Sequence, residues 1–367
     1  MIGRLRARLR GRHRPPGRLS TRIVDVQPAP LAPASSAASS PQAAAAGDTP
    51  ARRWWQRWGW LLRWAGTGLG VAYLIAVVDT DSLSSALAKT SIGTVLVALA
   101  VISSSLVVGA VRWRALMTAY GAIAPPSLAT AVRLYFVAVF YNTYLPGGVA
   151  GDVVRGVVVR DSFRDRGTTE AIAVVLVERV LGLLGVFALV AIGLVLVGPR
   201  LQATSTWWWW SAAGAGLSVV AVLMLPLGRR LAPYLPRRLA GIAARLPVVS
   251  RRWYFAAAAL LSLCTQLMTT VTGWLFLREV HPAATFSDAL FIVPLAAATG
   301  FLPITVAGLG AREAVFVKLC SQLLGMSAGD GLAASLLIWA TTLMTGVFGG
   351  ILQLVRPLSQ AARSDQR

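Results

Sequence analysis

The segment Tyr144-Leu145-Pro146-Gly147-Gly148-Val149-Ala150-Gly151-Asp152-Val153-Val154-Arg155 interrupts an apolar part of the chain with helix-breaking and charged residues. Proline removes a backbone donor and glycine weakens a helix interior, so a continuous helix is not expected here. Lipid cannot hydrogen-bond the backbone groups that such a break frees. A broken helix at membrane depth must therefore be buried in protein or line a wet cavity. The segment predicts a broken helix at a polar site.

A second segment, Leu302 to Arg312, repeats this pattern. It matches Leu145 to Arg155 at six of eleven positions without a gap, and the shared residues include the proline and the arginine. Two broken, charged elements in corresponding places are typical of transporters whose binding site lies between two structural repeats. The alternative is chance similarity in a chain rich in small and apolar residues. The predicted helix breaks are Pro146, Gly147, Gly148, Gly151, Pro303, Gly308 and Gly310.

The composition is that of a membrane protein. Of the 367 residues, 56% are hydrophobic and 13% are charged, against roughly 25% charged residues in soluble domains. Several apolar runs exceed the ~18 residues that mark a membrane-spanning helix. The net charge of +21 comes from basic residues in the N-terminal tail and in a few loops, where positive charge sets membrane topology. Nucleic-acid binding is therefore not expected.

The chain divides into a tail, a membrane domain and a second, shorter tail. Residues 1–53 are predicted to be a disordered cytoplasmic tail, because arginines alternate with other residues near its start and Pro, Ala and Ser dominate residues 27–50. These arginines would either bind anionic lipid or only hold the N-terminus inside, and the sequence leaves both open. Residues 54–356 form the predicted integral membrane domain, and residues 357–367 a short cytoplasmic tail.

An all-α polytopic fold with about six full spans and two re-entrant hairpins is predicted. Positive residues in the loops place both termini in the cytoplasm and open the two hairpins to opposite sides, as in an inverted repeat. Arg112 and Arg114 are placed at the inner end of the second span. The predicted location is a bacterial plasma membrane. The spans are expected at about 59–78, 92–111, 168–198, from Trp207–Trp210 to 226, 254–277 and 331–355, with hairpins over 127–160 and from about 289 past the second break.

Arg155 and Arg312 are the predicted anion-binding residues. Asp152 precedes a helix-compatible run, so it is predicted to cap a half-helix over 153–160 with Arg155 in the first turn. A half-helix N-terminus with an adjacent arginine suits a phosphate. Charges within a membrane are costly enough to indicate a function. The alternative is that Arg155–Asp152 and Arg312–Glu313 are structural pairs.

Three further polar residues belong to the predicted site. Glu178 and Arg179 lie about ten residues into the apolar span 168–198. Adjacent helical residues point about 100° apart, so each of the two needs a partner elsewhere. Glu178 is predicted to meet an arginine of a broken element, with a purely structural network as the alternative. Asn142 lies one turn before the first break, where it would cap freed backbone or line the cavity.

No catalytic, metal or cofactor site is predicted. Cys264 and Cys320 lack a neighbouring cysteine or histidine, and His13 and His281 lie in the tail and in a loop. Neither a metal site nor a histidine-based catalytic centre is therefore expected. The sequence also lacks the motifs for nucleotide binding, zinc hydrolysis and serine nucleophiles. The chain is expected to need no cofactor and not to be an enzyme.

As an ordered set, three motifs resemble those of the lysylphosphatidylglycerol synthase transmembrane-region family, also called flippase-like membrane proteins. They are Asn142-x-x-Leu145-Pro146-Gly147-Gly148-x-x-Gly151-Asp152-x-x-Arg155, Glu178-Arg179-Val180-x-Gly182 and Gly308-x-Gly310-x-Arg312-Glu313. The resemblance covers about residues 60–355. It implies a multi-pass domain with re-entrant helices that moves lipids between leaflets. In full-length lysylphosphatidylglycerol synthases a soluble aminoacyl transferase domain follows, whereas this sequence ends at residue 367, so aminoacyl transfer by this chain is not expected.

Two functions are consistent with these observations. In the first, an anionic or sugar-linked headgroup, on an anionic phospholipid or a polyprenyl-linked lipid, is moved between leaflets through a polar cavity between the two broken elements. Arg155 and Arg312 would bind the phosphate, while Glu178 and Asp152 would balance charge in the empty site. In the second, the chain is a non-transporting lipid-binding subunit or scaffold for an enzyme of envelope glycolipid or aminoacyl-lipid synthesis. The oligomeric state is left open.

Overall fold

The computed structural model describes five main stretches of the chain, 80–145, 148–163, 167–201, 249–299 and 310–355, and a few residues outside them. All regular elements in these stretches are helices. The two predicted tails lie outside the described residues, as do nearly all of the spans predicted at 59–78 and 207–226. The predicted breaks at Pro146, Gly147, Pro303 and Gly308 also lie outside the described residues.

Nine α-helices lie in the described stretches. Four of them are long and apolar enough to cross a membrane, namely Ile92–Ala119, Glu170–Arg200, Arg252–Val280 and Ala328–Val355, the second of these including a short 3-10 turn. The protein is thus a multi-pass membrane protein. The helices are α1 (Thr80–Ala88), α2 (Ile92–Ala119), α3 (Leu128–Tyr144), α4 (Ala150–Val158), α5 (Thr168–Val197), α6 (Arg252–Val280), α7 (Phe286–Ala298), α8 (Ala311–Leu324) and α9 (Ala328–Val355).

The helices α2 and α6 lie side by side in opposite directions and form the most extensive helix pair in the described structure. At one end, the Ser250 N–H donates to Ala119 O over 2.7 Å. At the other end, the Glu279 carboxylate accepts from the Ser91 N–H and from Thr94 Oγ1, each over 2.7 Å. Contacts at both ends fix the register of these two spans.

The shorter helices α3 and α7 each pack on a long helix at a glycine. A Cβ on Gly349 of α9 would lie 2.0 Å from Phe136 O of α3, and one on Gly193 of α5 would lie 2.6 Å from Phe291 N of α7. No side chain fits between backbones this close, so the two glycines permit the approach. The pairs α3–α9 and α5–α7 are therefore packed in the same way.

The described helices repeat in the order long, short, short, long. The helices α2 to α5 begin at residues 92, 128, 150 and 168, and α6 to α9 begin at 252, 286, 311 and 328, an offset of 158 to 161 residues. The match of Leu145 with Leu302 has nearly the same offset. The two halves of the membrane domain thus share an order and spacing of helices.

The first break separates α3 from α4. Asn142 Oδ1 accepts from the Gly151 N–H over 2.8 Å, so it caps freed backbone as predicted. Gly148 lies in the break with φ +63°, a left-handed backbone that favours glycine. Gly151 was predicted to lie in the break as well, but it is the second residue of α4. A Cβ there would lie 2.1 Å from Ala138 O, so this glycine lets α4 pack on the backbone of α3.

The predicted helix cap at Asp152 is wrong. The helix α4 begins at Ala150, and the preceding Val149 makes no side-chain cap bond. The helix starts early because Asn142, from outside the helix, already serves its first turn. Asp152 instead binds two arginines. Arg155 consequently lies in the last turn of α4 and not in its first.

The second break lies between α7 and α8. Gly310, with φ +81°, immediately precedes α8, and its N–H donates to the Glu313 carboxylate over 2.8 Å. Arg312 is the second residue of α8, whereas Arg155 is the sixth residue of α4. The gapless sequence match therefore pairs two arginines that are not structurally equivalent. The longer break in the second half shifts the register between them.

Candidate functional site

A cavity of about 250 Å³ lies among α2, α3, α4, α5 and α6. Its wall combines charged groups with hydroxyl and amide groups. The prediction placed a cavity between the two broken elements, but α7 and α8 contribute nothing to the lining of this described cavity, which lies beside the first element only. The charged residues of its wall are Arg112, Asp152, Arg155, Glu178 and Arg179.

These five residues form a row of alternating charge, here called the charged row. Arg112 Nη2 lies 2.8 Å from Glu178 Oε1, and Glu178 Oε2 lies 3.0 Å from Arg155 Nη2. Arg155 Nη2 also donates to Asp152 Oδ1 over 2.8 Å, and the other carboxylate oxygen of Asp152 pairs with Arg179. The row has an arginine at both ends, so three cations face two anions and its net charge is +1 when all groups are ionised.

Burial differs along the charged row. The side chains of Glu178 and Arg155 are 1% and 5% exposed, whereas that of Arg179 is 38% exposed. Buried charges are tolerated only when they are paired, which explains why each carboxylate is shared by two arginines. Arg179 is the member of the row that a molecule entering the cavity reaches most easily.

Two aromatic rings hold Arg155 in place. Its guanidinium carbon lies 4.2 Å from the ring centroid of Tyr135 and 5.0 Å from that of Trp113. Arg155 Nε and Nη1 are buried and have no hydrogen-bond partner among the described residues. Contact with the ring faces offsets part of the cost of these unpaired donors. Gly109 makes room for the arrangement, because a Cβ there would lie 2.6 Å from Tyr135 Cε1.

Arg112 is a site residue that the sequence patterns did not reveal. Charge patterning placed it at the inner end of a span over 92–111, but α2 continues for about 10 Å beyond it to Ala119. Its Nη1 donates to Ser262 Oγ over 3.3 Å and to Thr265 Oγ1 over 3.1 Å. The signal that pointed to it was Glu178, a carboxylate in an apolar span that requires cationic partners.

Glu178 and Arg179 find separate partners, as their helical spacing indicates. Glu178 contacts Arg155, which confirms the predicted contact with an arginine of a broken element. Arg179 pairs with Asp152, and its Nη2 donates to Gly148 O over 2.9 Å. The span α5 is therefore tied directly to the backbone of the first break.

Arg312 and Glu313 are not part of the cavity wall. Arg312 Nε donates to Glu313 Oε1 over 3.0 Å, while the other oxygen of Glu313 accepts from the Gly310 N–H. Within the described part of the chain, these residues form the local structural pair that the sequence left open as an alternative. Binding of phosphate by Arg312 stays a prediction.

The cavity reaches from the charged row to the middle of the spans. Its wall on α2 runs from Arg112 through Gly109 to Ser105, a rise of about 10 Å. Ser105 lies near the middle of α2, about 20 Å from either end of that helix. Beyond the arginines, the wall on α6 is formed by the uncharged residues Gln266 and Thr269.

Comparison with known proteins connects this architecture to lipids. Among models of protein families, the chain matches the one described as "Lysylphosphatidylglycerol synthase TM region" over residues 60–350. A search of curated proteins finds no match. The matched region includes both broken elements and the whole charged row, and the family name associates the chain with lipid-related processes. This multi-pass membrane protein therefore belongs to the lysylphosphatidylglycerol synthase transmembrane-region family.

Proposed function

We propose that the protein is a lipid transporter that moves an anionic headgroup between leaflets through the cavity beside the first broken helix. The observation that carries this proposal is the net charge of +1 on the charged row. A charge inside a span costs ~2.5–3.5 kcal/mol on insertion scales. A purely structural network is best served by neutrality, so the surplus cation calls for an anionic ligand. A phosphodiester carries the single negative charge that neutralises the row.

Arg179 is the proposed first contact of the headgroup. Its side chain is 38% exposed, and it binds an aspartate that Arg155 also binds. A guanidinium group offers donors in a planar fork that matches two phosphate oxygens. When phosphate binds Arg179, Asp152 keeps its bond to Arg155, so neither the aspartate nor the arginines lose all their partners.

The size of the cavity limits what enters it. Sites for drug-sized ligands usually measure roughly 300–1,000 Å³, and this cavity has about 250 Å³. A headgroup fits such a volume, whereas two acyl chains do not. The chains therefore stay in the bilayer while the headgroup crosses.

The proposal includes six spans and two re-entrant hairpins arranged as an inverted repeat, with cytoplasmic termini in a bacterial plasma membrane. The offset of 158 to 161 residues between the two sets of helices supports the repeat. The similar packing of α3 on α9 and of α7 on α5 supports it as well. Rocking of one repeat against the other would then expose the headgroup to alternate sides. Arg312, in the second hairpin, is the proposed anion contact on the far side.

The ligand is an anionic phospholipid or a polyprenyl-linked lipid, and the chain performs no reaction on it. The alternative function is a non-transporting lipid-binding subunit that serves a partner enzyme. The described contacts also suit this role, because a paired, buried row can hold a headgroup without moving it. Measured transport by the isolated protein separates the two functions.

The test reconstitutes the protein in liposomes that contain a trace of tail-labelled fluorescent phosphatidylglycerol. The readout is the rate at which inner-leaflet label becomes accessible to a membrane-impermeant quencher. We expect the wild type to exceed empty liposomes and Arg179→Gln to lower the excess rate about tenfold, the factor for about 1.4 kcal/mol of lost headgroup binding. Arg312→Gln tests the second hairpin in the same assay.

Arg200→Gln is the matched control. Arg200 directly follows α5, its side chain is 46% exposed, and it pairs with the buried Asp288 over 2.6 Å, far from the cavity. It should keep the wild-type rate once its yield of folded protein is matched. Equal losses in Arg179→Gln and Arg200→Gln would show that the effect is structural. Retained lipid binding without any wild-type transport would favour the subunit role.

A further inference from the structure

The wall of the cavity changes character between the charged row and the middle of the spans. Next to the row, Thr265 accepts from Arg112 and donates to Ser262 O, so its hydroxyl is fully engaged. One helical turn further on, Gln266 and Thr269 of α6 and Ser105 of α2 carry no charge. The cavity thus has a cationic end and a neutral, polar end.

The hydroxyl groups at the neutral end have already committed their protons. Ser105 Oγ donates to Ile102 O over 2.7 Å, and Thr269 Oγ1 donates to Thr265 O over 3.1 Å. A hydroxyl has one proton and two lone pairs, so both groups can only accept from a ligand. A ligand that satisfies them must bring its own donors.

Gln266 supplies the complementary groups. Its side-chain amide has no hydrogen-bond partner within the described stretches. It lies over Gly182, where a Cβ would be 3.5 Å from Gln266 Nε2. An amide offers two donors and an acceptor, and an unpaired amide inside a span is costly. Gln266 is therefore poised for a ligand group that both donates and accepts.

A ligand hydroxyl meets these requirements, because it donates to the acceptors and accepts from the amide. An ammonium group does not, since both carboxylates of the cavity are already shared by two arginines each. A bound phosphate would leave no negative charge to balance it. A trimethylammonium group brings no donors at all.

We propose that the neutral end of the cavity, formed by Ser105, Gln266 and Thr269, binds an uncharged, hydroxyl-bearing headgroup while the charged row holds its phosphodiester, with Gln266 as the specificity-determining residue. This inference rests on the proposed function, because it concerns the same headgroup in the same cavity. It assigns a polyol, such as glycerol or a sugar, to the part of the headgroup beyond the phosphate.

The test compares two lipids that differ only in hydroxyl groups. Phosphatidylglycerol and phosphatidylpropanol have the same charge and nearly the same size, but the propanol headgroup has no hydroxyl. Each is supplied as a tail-labelled trace in liposomes with wild type, Gln266→Leu, Thr269→Val or Thr270→Val. Thr270 is the matched control, because its hydroxyl donates to the carbonyl four residues earlier, as that of Thr269 does, but it does not line the cavity.

The wild type should move phosphatidylglycerol about tenfold faster than phosphatidylpropanol, the factor that one or two net hydrogen bonds supply. Gln266→Leu and Thr269→Val should slow only phosphatidylglycerol, and Gln266→Leu should bring it within about twofold of phosphatidylpropanol. Thr270→Val should behave as the wild type does. Thermal midpoints confirm that each variant is folded.

Two results would overturn the inference in distinguishable ways. If the wild type moves both lipids at one rate, or if Gln266→Leu slows both equally, the polyol subsite is wrong and lipid transport stands. If the wild type moves neither lipid, the proposed function fails, and the subsite fails with it.

Discussion

Replacing Glu178 with glutamine is predicted to be the most destabilising single change in the charged row. The Glu178 side chain is 1% exposed, and its oxygens lie 2.8 Å from Arg112 and 3.0 Å from Arg155. The substitution keeps the shape of the side chain but raises the net charge of the row from +1 to +2. Removing one partner of a buried ion pair costs ~3–5 kcal/mol. Because Arg112 keeps its bonds to Ser262 and Thr265, we expect a loss near the middle of this range, about 4 kcal/mol.

A double-mutant cycle measures the interaction directly. The free energy of unfolding is measured by reversible denaturant titration in mixed micelles for wild type, Glu178→Gln, Arg112→Gln and the double variant. The double variant restores the net charge of +1, so its loss should be smaller than the sum of the two single losses by about 2 kcal/mol. The coupling would assign the stabilisation to the pair itself and not to the shape of either residue.

Glu178→Gln combined with Arg200→Gln serves as the control cycle. Arg200 lies 22 residues further along, at the end of α5, about 33 Å away at 1.5 Å per residue. The two losses should therefore add within ~0.5 kcal/mol. Additive losses for Glu178 and Arg112 as well would refute the view that the charged row is an interacting unit.

Two further predictions concern packing and helix caps. Gly151→Ala should greatly reduce the yield of monodisperse protein in size-exclusion chromatography, because its Cβ would lie 2.1 Å from Ala138 O; Gly182→Ala should not, since its Cβ makes ordinary contacts from 3.5 Å outwards. Similar yields for both would contradict the inferred α3–α4 contact. Asp288→Asn should lower the free energy of unfolding by about 2 kcal/mol, because the buried Asp288 holds Arg200 and the partial exposure of Arg200 moderates the loss. An unchanged unfolding midpoint would rule out a stabilising role for this pair.

The long helices could be predicted closely because lipid imposes length and apolarity on any span. Residue 92 was the predicted start of the second span and is the first residue of α2, and residue 355 is the predicted and observed end of the last helix. The end of α2 was missed by eight residues, because hydropathy treats an arginine as a boundary wherever it falls. Arg112 stays inside the helix because Glu178 and two hydroxyl groups of α6 satisfy it, and hydropathy does not encode partners from distant segments.

The chemistry of the first broken element was predicted better than its geometry. Asp152, Arg155, Glu178 and Arg179 do lie together, because a charge in lipid needs a partner and few partners exist. The start of α4 was misplaced because the cap comes from Asn142, nine residues away in sequence. The equivalence of Arg155 and Arg312 failed because a gapless match cannot detect breaks of different length.

The alternating arrangement of the charged row also has a consequence for biosynthesis. Arg112 and Arg155 leave the ribosome before Glu178, which is synthesised 66 residues after Arg112. At ~5–20 residues per second, roughly three to thirteen seconds pass in which Arg112 has no carboxylate from α5. A chain released before residue 178 would hold its early spans with unbalanced arginines, so completion of α5 is the step at which the nascent chain becomes able to settle in the bilayer.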